Sequence, residues 1–490
     1  MKGKVVLFFP SYYSDEAAPP LALIHLAAPL VHHGYDVRII DSAVSEDSVG
    51  EAVRECADAI CLGVSMVTGP MITQGVEVAR AVKARYPQVP IVAGGWHASI
   101  LPEQTLRSPI FDAVVKGQGE VTFLEIVERY AQGERDLSGI AGSLHKQDGK
   151  IVWNGDRGYT DINALPRRPF HLVDFEAYAK KCKGLRWLLY CTSHGCPWDC
   201  SYCSNASVYG RNWKPLTPEA TVAEMGELVS RYRLDVVDII DDNYLVRRDR
   251  AVAIAEGLLS AGVKTQYYIQ TRPDQIDRLT DPELALIAKS GLSRIFFGAE
   301  SGSDKVLRSV NKRLDLSSAY RTAERCYKAG IQPSFNLIFG LPAEEPDDVR
   351  ETLAMVDEIG RRNPDAAFFT NIFSPYPGSP IFPEAVRRGV KEPTTLEEWA
   401  VFFPKIQVLP WLQGAQHAKI QRIRDYIRIG YSAQHMVIHK SAGLRARFRT
   451  VLRGMARWRL RRMRIGWPLE VWALKAWHQL KERRQPALIN

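Results

Sequence analysis

Nowhere do the 490 residues of this chain run through about 18 uncharged apolar side chains, the length that a membrane-crossing helix needs. The N-terminus is equally poor in targeting features. Met1–Pro10 has two lysines and then a short apolar run, Val5–Phe9, too brief for a signal-peptide core and without a small-residue cleavage site. Low-complexity tracts are lacking too, so a packed chain is expected. Cysteine is scarce, 8 in all, far below the density of a disulfide scaffold. Together these absences predict a cytoplasmic protein with reduced thiols.

Acidic side chains are nearly missing from one region. From Lys440 to the end there are 14 Lys and Arg against only Glu470 and Glu482, a charge of +12. The whole chain carries +9, so the remainder is at −3 and the basic character belongs to the tail.

What is present reads as repeated strand and helix. In residues 1–135, apolar runs at Lys4–Phe9, Asp36–Asp41, Ala59–Val64, Ile91–Ala93 and Ala113–Val115 alternate with helical patterns at 21–33, 49–56, 71–85 and 122–130. This order predicts an α/β, doubly wound, Rossmann-like parallel sheet, with ligands beyond the carboxyl ends of its strands. The loops at those ends carry Pro10-Ser11-Tyr12, Ser65 to Pro70, Gly94-Gly95-Trp96-His97 and Gly117-Gln118-Gly119-Glu120. Glycine lets backbone amides come close to a ligand, and four such loops on one edge suit a large, extended one. Residues 136–185 read as a connector with a small hairpin around Gly149–Trp153.

Residues 186–385 repeat strand and helix six times, with strands at Trp187–Tyr190, Val236–Ile240, Thr265–Gln270, Arg294–Phe297, Gln332–Phe339 and Ala367–Phe373. That predicts a partial (β/α)6 barrel with its site at the C-terminal strand ends. Residues 386–490 read as mostly helical, ending in the basic tail.

Four of the eight cysteines fall within 13 residues, 191–203, directly after the first strand of the second domain. Cys196, Cys200 and Cys203, separated by three and two residues, let one loop wrap three thiolates around a small inorganic core. Structural zinc is the alternative, with Cys191 or His194 as fourth ligand. Cys56, Cys61 and Cys326 stand among apolar residues and are expected in the core.

Cys196-x-x-x-Cys200-x-x-Cys203, with Tyr202 before the last cysteine, resembles the signature of the radical S-adenosylmethionine (SAM) superfamily. Phe297 to Ser303 and Leu337 to Pro342 are similar to the family's fourth-strand and fifth-strand motifs, and Ser374 to Pro380 to the segment after the sixth strand. The resemblance implies a [4Fe-4S] cluster on the three cysteines, with the fourth iron binding SAM. It implies SAM contacts for Tyr202, Glu300, Ser301 and Gly340, and places Asp242 and Arg272 at strand-end contact positions. An external low-potential electron donor is then required.

The first domain is similar to the cobalamin-binding domain found ahead of many such enzymes, on Pro19 to Leu21, Gly63 to Pro70, Gly94 to Ser99 and Val115 to Glu120. This implies cobalamin across the strand ends, near Ser65, Thr68, Gly69, Gly95, Trp96, His97, Gly117 and Glu120. The Asp-x-His-x-x-Gly motif that supplies a lower cobalt ligand in many cobalamin proteins is missing. His97 could approach the cobalt or simply hydrogen-bond within its turn. The resemblance implies a methyltransferase acting on an unactivated carbon, or an oxidative cyclase or other rearrangement using the same cofactors. A zinc-stabilised nucleic-acid-binding protein and a corrin carrier without catalysis are the readings of another class.

In the tail, arginines 445, 447, 449, 453, 457, 459, 461, 462 and 464 are interleaved with Trp458, Trp467, Trp472 and Trp477. Either a helix packs its tryptophans inward with arginines in water, or the tail touches an anionic surface such as the inner membrane face. The substrate is then a small or lipid-like molecule; nucleic acid is not the expected partner.

Overall fold

The computed structural model describes residues 2–11, 17–402, 409–431, 444–466 and 471–472, the stretch 444–449 as backbone only. The chain separates into two compact units, one of residues 1–270, 289–292 and 374–407, the other of residues 271–288, 293–373 and 408–490.

The first unit opens with β1 (Lys4–Phe9), β2 (Asp36–Asp41), β3 (Ala59–Ser65), β4 (Ile91–Gly94) and β5 (Ala113–Val115). They form the parallel part of a seven-stranded sheet, in the order β2-β1-β3-β4-β5. Val5, Val6, Leu7 and Phe8 are all buried, as an unbroken apolar run requires when helices cover both faces. On one face Leu23, Ala27 and Leu30 of helix Leu21–His32 meet Phe123, Ile126, Val127 and Tyr130 of helix Glu120–Ala131. Each such leucine or phenylalanine stabilises the unit by roughly 1.5–3 kcal/mol.

The hairpin expected in the connector is β6 (Ser143–Gln147) and β7 (Lys150–Trp153), and it extends this sheet antiparallel from β5. Gly94–His97, expected as a loop, contains no loop residue, because Gly94 ends β4. Helix Gly95–Ile100 follows at once, too short to show a helical period in the sequence.

The first unit continues with β8 (Trp187–Tyr190) and two two-residue strands, β9 (Ser193–His194) and β10 (Lys214–Pro215), which pair antiparallel. β11 (Val236–Ile239) lies parallel between β8 and β12 (Gln266–Thr271). The second unit is built on β13 (Leu292–Glu300), β14 (Gln332–Phe339) and β15 (Ala367–Ile372), parallel in that order. Helix Leu316–Lys328 packs on β14 and helix Gly414–Tyr431 on β15, while helix Pro346–Arg362 packs on Leu316–Lys328 and helix Leu444–Arg461 on Gly414–Tyr431. β13 is longer than its apolar stretch Arg294–Phe297 suggested. It runs on through Gly298 and Ala299 with a register shift and stops at Glu300, whose φ of 62° lies in the left-handed region.

Among the described residues no helix is long and apolar enough to cross a membrane. Cys56, Cys61 and Cys326 are buried in the core as expected.

Candidate functional site

The cysteine loop leaves the end of β8 and is pinned at its root. Asp241, just beyond β11, is fully buried. It accepts hydrogen bonds from the Thr192 amide (2.6 Å), the Thr192 hydroxyl (2.6 Å), the Ser193 amide (3.0 Å) and the Ser193 hydroxyl (2.6 Å). Gly195 then turns the chain with φ 79°, and a Cβ there would stand 2.1 Å from the Asn212 carbonyl oxygen. Only glycine fits that turn, which sets the direction of Cys196.

Past this turn Cys196 and Cys200 are partly buried and Cys203 is exposed. The Cys203 amide donates to the Cys200 carbonyl at 3.1 Å, which tightens the loop between these two cysteines. The Cys203 thiol is pushed up to about 11, by desolvation first and then by Asp242, Cys200 and Cys196 nearby. Among the described residues no three His, Cys, Asp or Glu side chains converge as ligands of a single ion. The two candidates for a fourth zinc ligand are engaged elsewhere. Cys191 Sγ donates to the Ser193 carbonyl at 2.9 Å, and the His194 ring stacks on His25 at 5.2 Å. Three cysteines spaced by three and two residues on one loop, without a second Cys-x-x-Cys pair, fit a cluster better than a zinc knuckle.

Beside this loop, and within the same unit, lie the strand ends of the first sheet. Trp96 Nε1 donates to Ser204 Oγ at 3.0 Å, and its ring meets Tyr209 edge-on. Gly95 has φ 86°, and a Cβ there would crowd Ser65 Oγ at 2.7 Å and the Met66 backbone at 2.9 Å. The Gly117 amide donates to Ser99 Oγ (2.9 Å). Glu120 opens its helix, buried, with His25 3.7 Å away.

His97 is wholly buried and shares a 3.0 Å hydrogen bond with Thr68, while its amide donates to the Met66 carbonyl. Burial lowers its pKa to about 4, so the imidazole is neutral. The sequence left His97 open between cobalt and a turn hydrogen bond; the structure joins its Nδ1 to Thr68 and leaves its Nε2 buried with no hydrogen-bond partner among the described residues.

Near these strand ends a polar recess joins Gln118 and His194 to side chains that the motifs did not flag, His25, Tyr159, Arg168 and Tyr209. Arg168 ion-pairs with Glu224 and donates to the Cys191 carbonyl (2.8 Å) and toward His25 Nε2 (2.9 Å). His25, Tyr159, His194 and Tyr209 form one aromatic cluster with ring centroids 5.2–6.5 Å apart. His25 is lowered to about 3 and His194 to about 4, by desolvation first, so both are neutral. Gln118 Nε2, Tyr159 OH and His194 Nδ1 are buried with no hydrogen-bond partner among the described residues. Buried polar atoms without partners cost stability. A recess that leaves three of them together, beside a glycine cradle, fits a large amide-rich ring such as a corrin.

In the second unit, β13 and β14 end side by side. Glu300 is buried and receives Lys312 Nζ at 3.0 Å. Ser301 Oγ lies 3.2 Å from Thr352 Oγ1 and accepts from the Ser303 amide. Gly340, after β14, donates its amide to Glu344 and accepts from Trp411 Nε1 at 3.0 Å. Arg272 is buried, its Nε donating to Asp274 at 3.0 Å and its Nη2 to the Arg313 carbonyl at 3.0 Å. Tyr202 is partly buried in the cysteine loop and Asp242 is exposed beside buried Asp241. Ser65 and Gly69 stand at the end of β3 and in the turn after it.

A B12-binding domain model matches residues 14–127, and a radical SAM superfamily model matches residues 190–356. The chain is a radical SAM enzyme that carries a B12-binding domain ahead of its radical SAM domain. The cofactors of these two domains are a [4Fe-4S] cluster, SAM and cobalamin. Among similar proteins, the hopanoid C-3 methylase of Methylococcus capsulatus is 26% identical over 379 residues, 74% of this chain and 67% of that one. The anaerobic magnesium-protoporphyrin IX monomethyl ester cyclase of Rubrivivax gelatinosus is 27% identical over 395 residues, covering 78% and 70%. The fold is shared with the cobalamin-dependent radical SAM enzyme OxsB, solved with aqua-cobalamin and SAM. The TM-score is 0.73 at 16% identity, over 94% of this chain and 72% of that chain.

Proposed function

We propose that this enzyme methylates an unactivated carbon of a small or lipid-like substrate, drawing the methyl group from SAM. Residues 1–135 then form the cobalamin-binding domain, 136–185 the connector, 186–385 the radical SAM barrel and 386–490 the C-terminal region. Bound together, the three cofactors would supply a low-potential electron, a 5′-deoxyadenosyl radical and a methyl carrier.

The observation that carries this reading is the attachment of the cysteine loop, within one unit, to the strand ends of the B12-binding sheet through Trp96 and Ser204. Cys196, Cys200 and Cys203 would hold the cluster, with Asp241 and Gly195 aiming them. Glu300, Ser301, Arg272, Gly340, Tyr202 and Asp242 would bound the SAM, with Lys312 against Glu300. Ser65, Thr68, Gly69, Gly95, Trp96, His97, Gly117 and Glu120 would build or line the corrin cradle. Electrons would come from an external low-potential donor.

The cyclase among the relatives supports a second reading, oxidation or ring closure with the same cofactors. The test uses anaerobically reconstituted enzyme, reductant and SAM deuterated in its methyl group, with a cell extract as substrate source. Methyl transfer predicts extract molecules heavier by one deuterated methyl. Products formed without label would favour the second reading.

A further inference from the structure

We propose that the basic C-terminal helix is a docking surface for an anionic lipid bilayer. The inference stands apart from the chemistry of the site and rests on the second unit alone. Helix Leu444–Arg461 packs on helices Gly414–Tyr431 and Pro346–Arg362. Leu452, Ala456 and Leu460 are buried on that side. Arg457 donates to the Gly430 carbonyl at 2.8 Å and covers the Tyr431 ring, while Arg461 pairs with Asp357 at 2.8 Å. The helix therefore already has a complete inward face.

A second apolar stripe faces water. Val451, Met455 and Trp458 follow one another at helical spacing and are 59%, 44% and 46% exposed. Trp472, further on, is 54% exposed. A helix that hid its tryptophan face against the fold would show the reverse. Around the stripe the charge has a single sign: Thr450 to Gly466 holds six arginines and no acidic residue. The guanidinium groups of Arg462 and Arg464 lie 5.7 and 5.8 Å from the Trp458 ring centroid.

Arginines alone would suit any polyanion. The exposed valine, methionine and tryptophan among them decide for a bilayer, since nucleic-acid phosphates leave such side chains in water. At a membrane surface the apolar stripe enters the acyl boundary, tryptophan sits at headgroup level, and the arginine stems extend to the phosphates.

The test is co-sedimentation of the full-length holoenzyme with extruded vesicles of phosphatidylcholine, with and without about 30% phosphatidylglycerol, over a salt series. Binding to the anionic vesicles only, weakening with salt and accompanied by a blue shift of tryptophan fluorescence, is expected. Met455→Ser with Trp458→Ser should weaken it at least about tenfold while leaving iron content and melting temperature unchanged. Arg462→Gln with Arg464→Gln should weaken it similarly and flatten the salt dependence. The proposal is overturned by no sedimentation, by equal binding to neutral vesicles, or by undiminished binding of both double variants. Retention on duplex DNA or RNA in place of vesicles would also overturn it.

Discussion

Lys312 Nζ donates to Glu300 Oε1 at 3.0 Å, and both side chains are all but fully buried at the end of β13. A buried charge pair tolerates loss of both partners better than loss of one, because a single deletion takes the opposite charge away from the one that stays buried. Lys312→Met should therefore cost about 3–5 kcal/mol in chemical denaturation. Lys312→Met combined with Glu300→Met should recover much of that stability but not SAM binding, measured by calorimetric titration. A Lys312→Met enzyme as stable as the wild type would refute the pairing. A double variant that binds SAM normally would remove Glu300 from the site.

Asp241 takes four hydrogen bonds from Thr192 and Ser193 at the root of the cysteine loop. Asp241→Ala leaves four buried donors unsatisfied, and a loss of about 3 kcal/mol or more is expected. Reconstituted Asp241→Ala should also hold clearly less iron and sulfide per chain, because the loop no longer has a fixed direction. Gly195→Ala should lose iron for a separate reason, the clash with the Asn212 carbonyl. Full iron loading in both variants would show that the loop orders itself around the cluster without this scaffold.

His97 is held neutral by burial, its pKa lowered to about 4 from 6.5. A base whose folded pKa is depressed adds stability that is complete above its unfolded pKa and fades as pH falls toward the folded value. Wild-type stability should thus decline between pH 6.5 and about 4, with up to about 3 kcal/mol of the decline due to this residue. His97→Leu should be less stable at neutral pH, since Thr68 loses its partner, and should show a shallower acid slope. A ring held by Thr68 for structure alone predicts that cob(II)alamin bound to the enzyme shows no histidine nitrogen splitting in its paramagnetic resonance spectrum. Such a splitting, lost in His97→Leu, would make the residue a cobalt ligand.

The main strands were legible because they are apolar runs bounded by glycine, proline and charged residues. Lys4–Phe9, Trp187–Tyr190 and Gln332–Phe339 match to the residue. The cysteine triplet was legible because its spacing is local. Lys312 was not, for it lies between Asn311 and Arg313, both with positive φ, and gains its meaning only from Glu300 twelve residues earlier. Asp241 and Asp242 were visible as an acidic pair. Which of them turns inward is decided by the end of β11, and it is Asp241. The recess of His25, Tyr159 and His194 draws on three separate segments, so no local pattern could announce it. In the tail, helical spacing fitted either face inward. Packing settled the matter by choosing Leu452, Ala456 and Leu460.

The most direct test of the central claim is the reductive cleavage of SAM. Anaerobically purified enzyme, reconstituted with iron, sulfide and cobalamin, is mixed with SAM and a strong reductant, and 5′-deoxyadenosine is followed by mass spectrometry. The radical SAM assignment predicts its formation by the wild type and its loss in Cys200→Ala. Full iron and sulfide loading without any 5′-deoxyadenosine, or formation undiminished in Cys200→Ala, would contradict it.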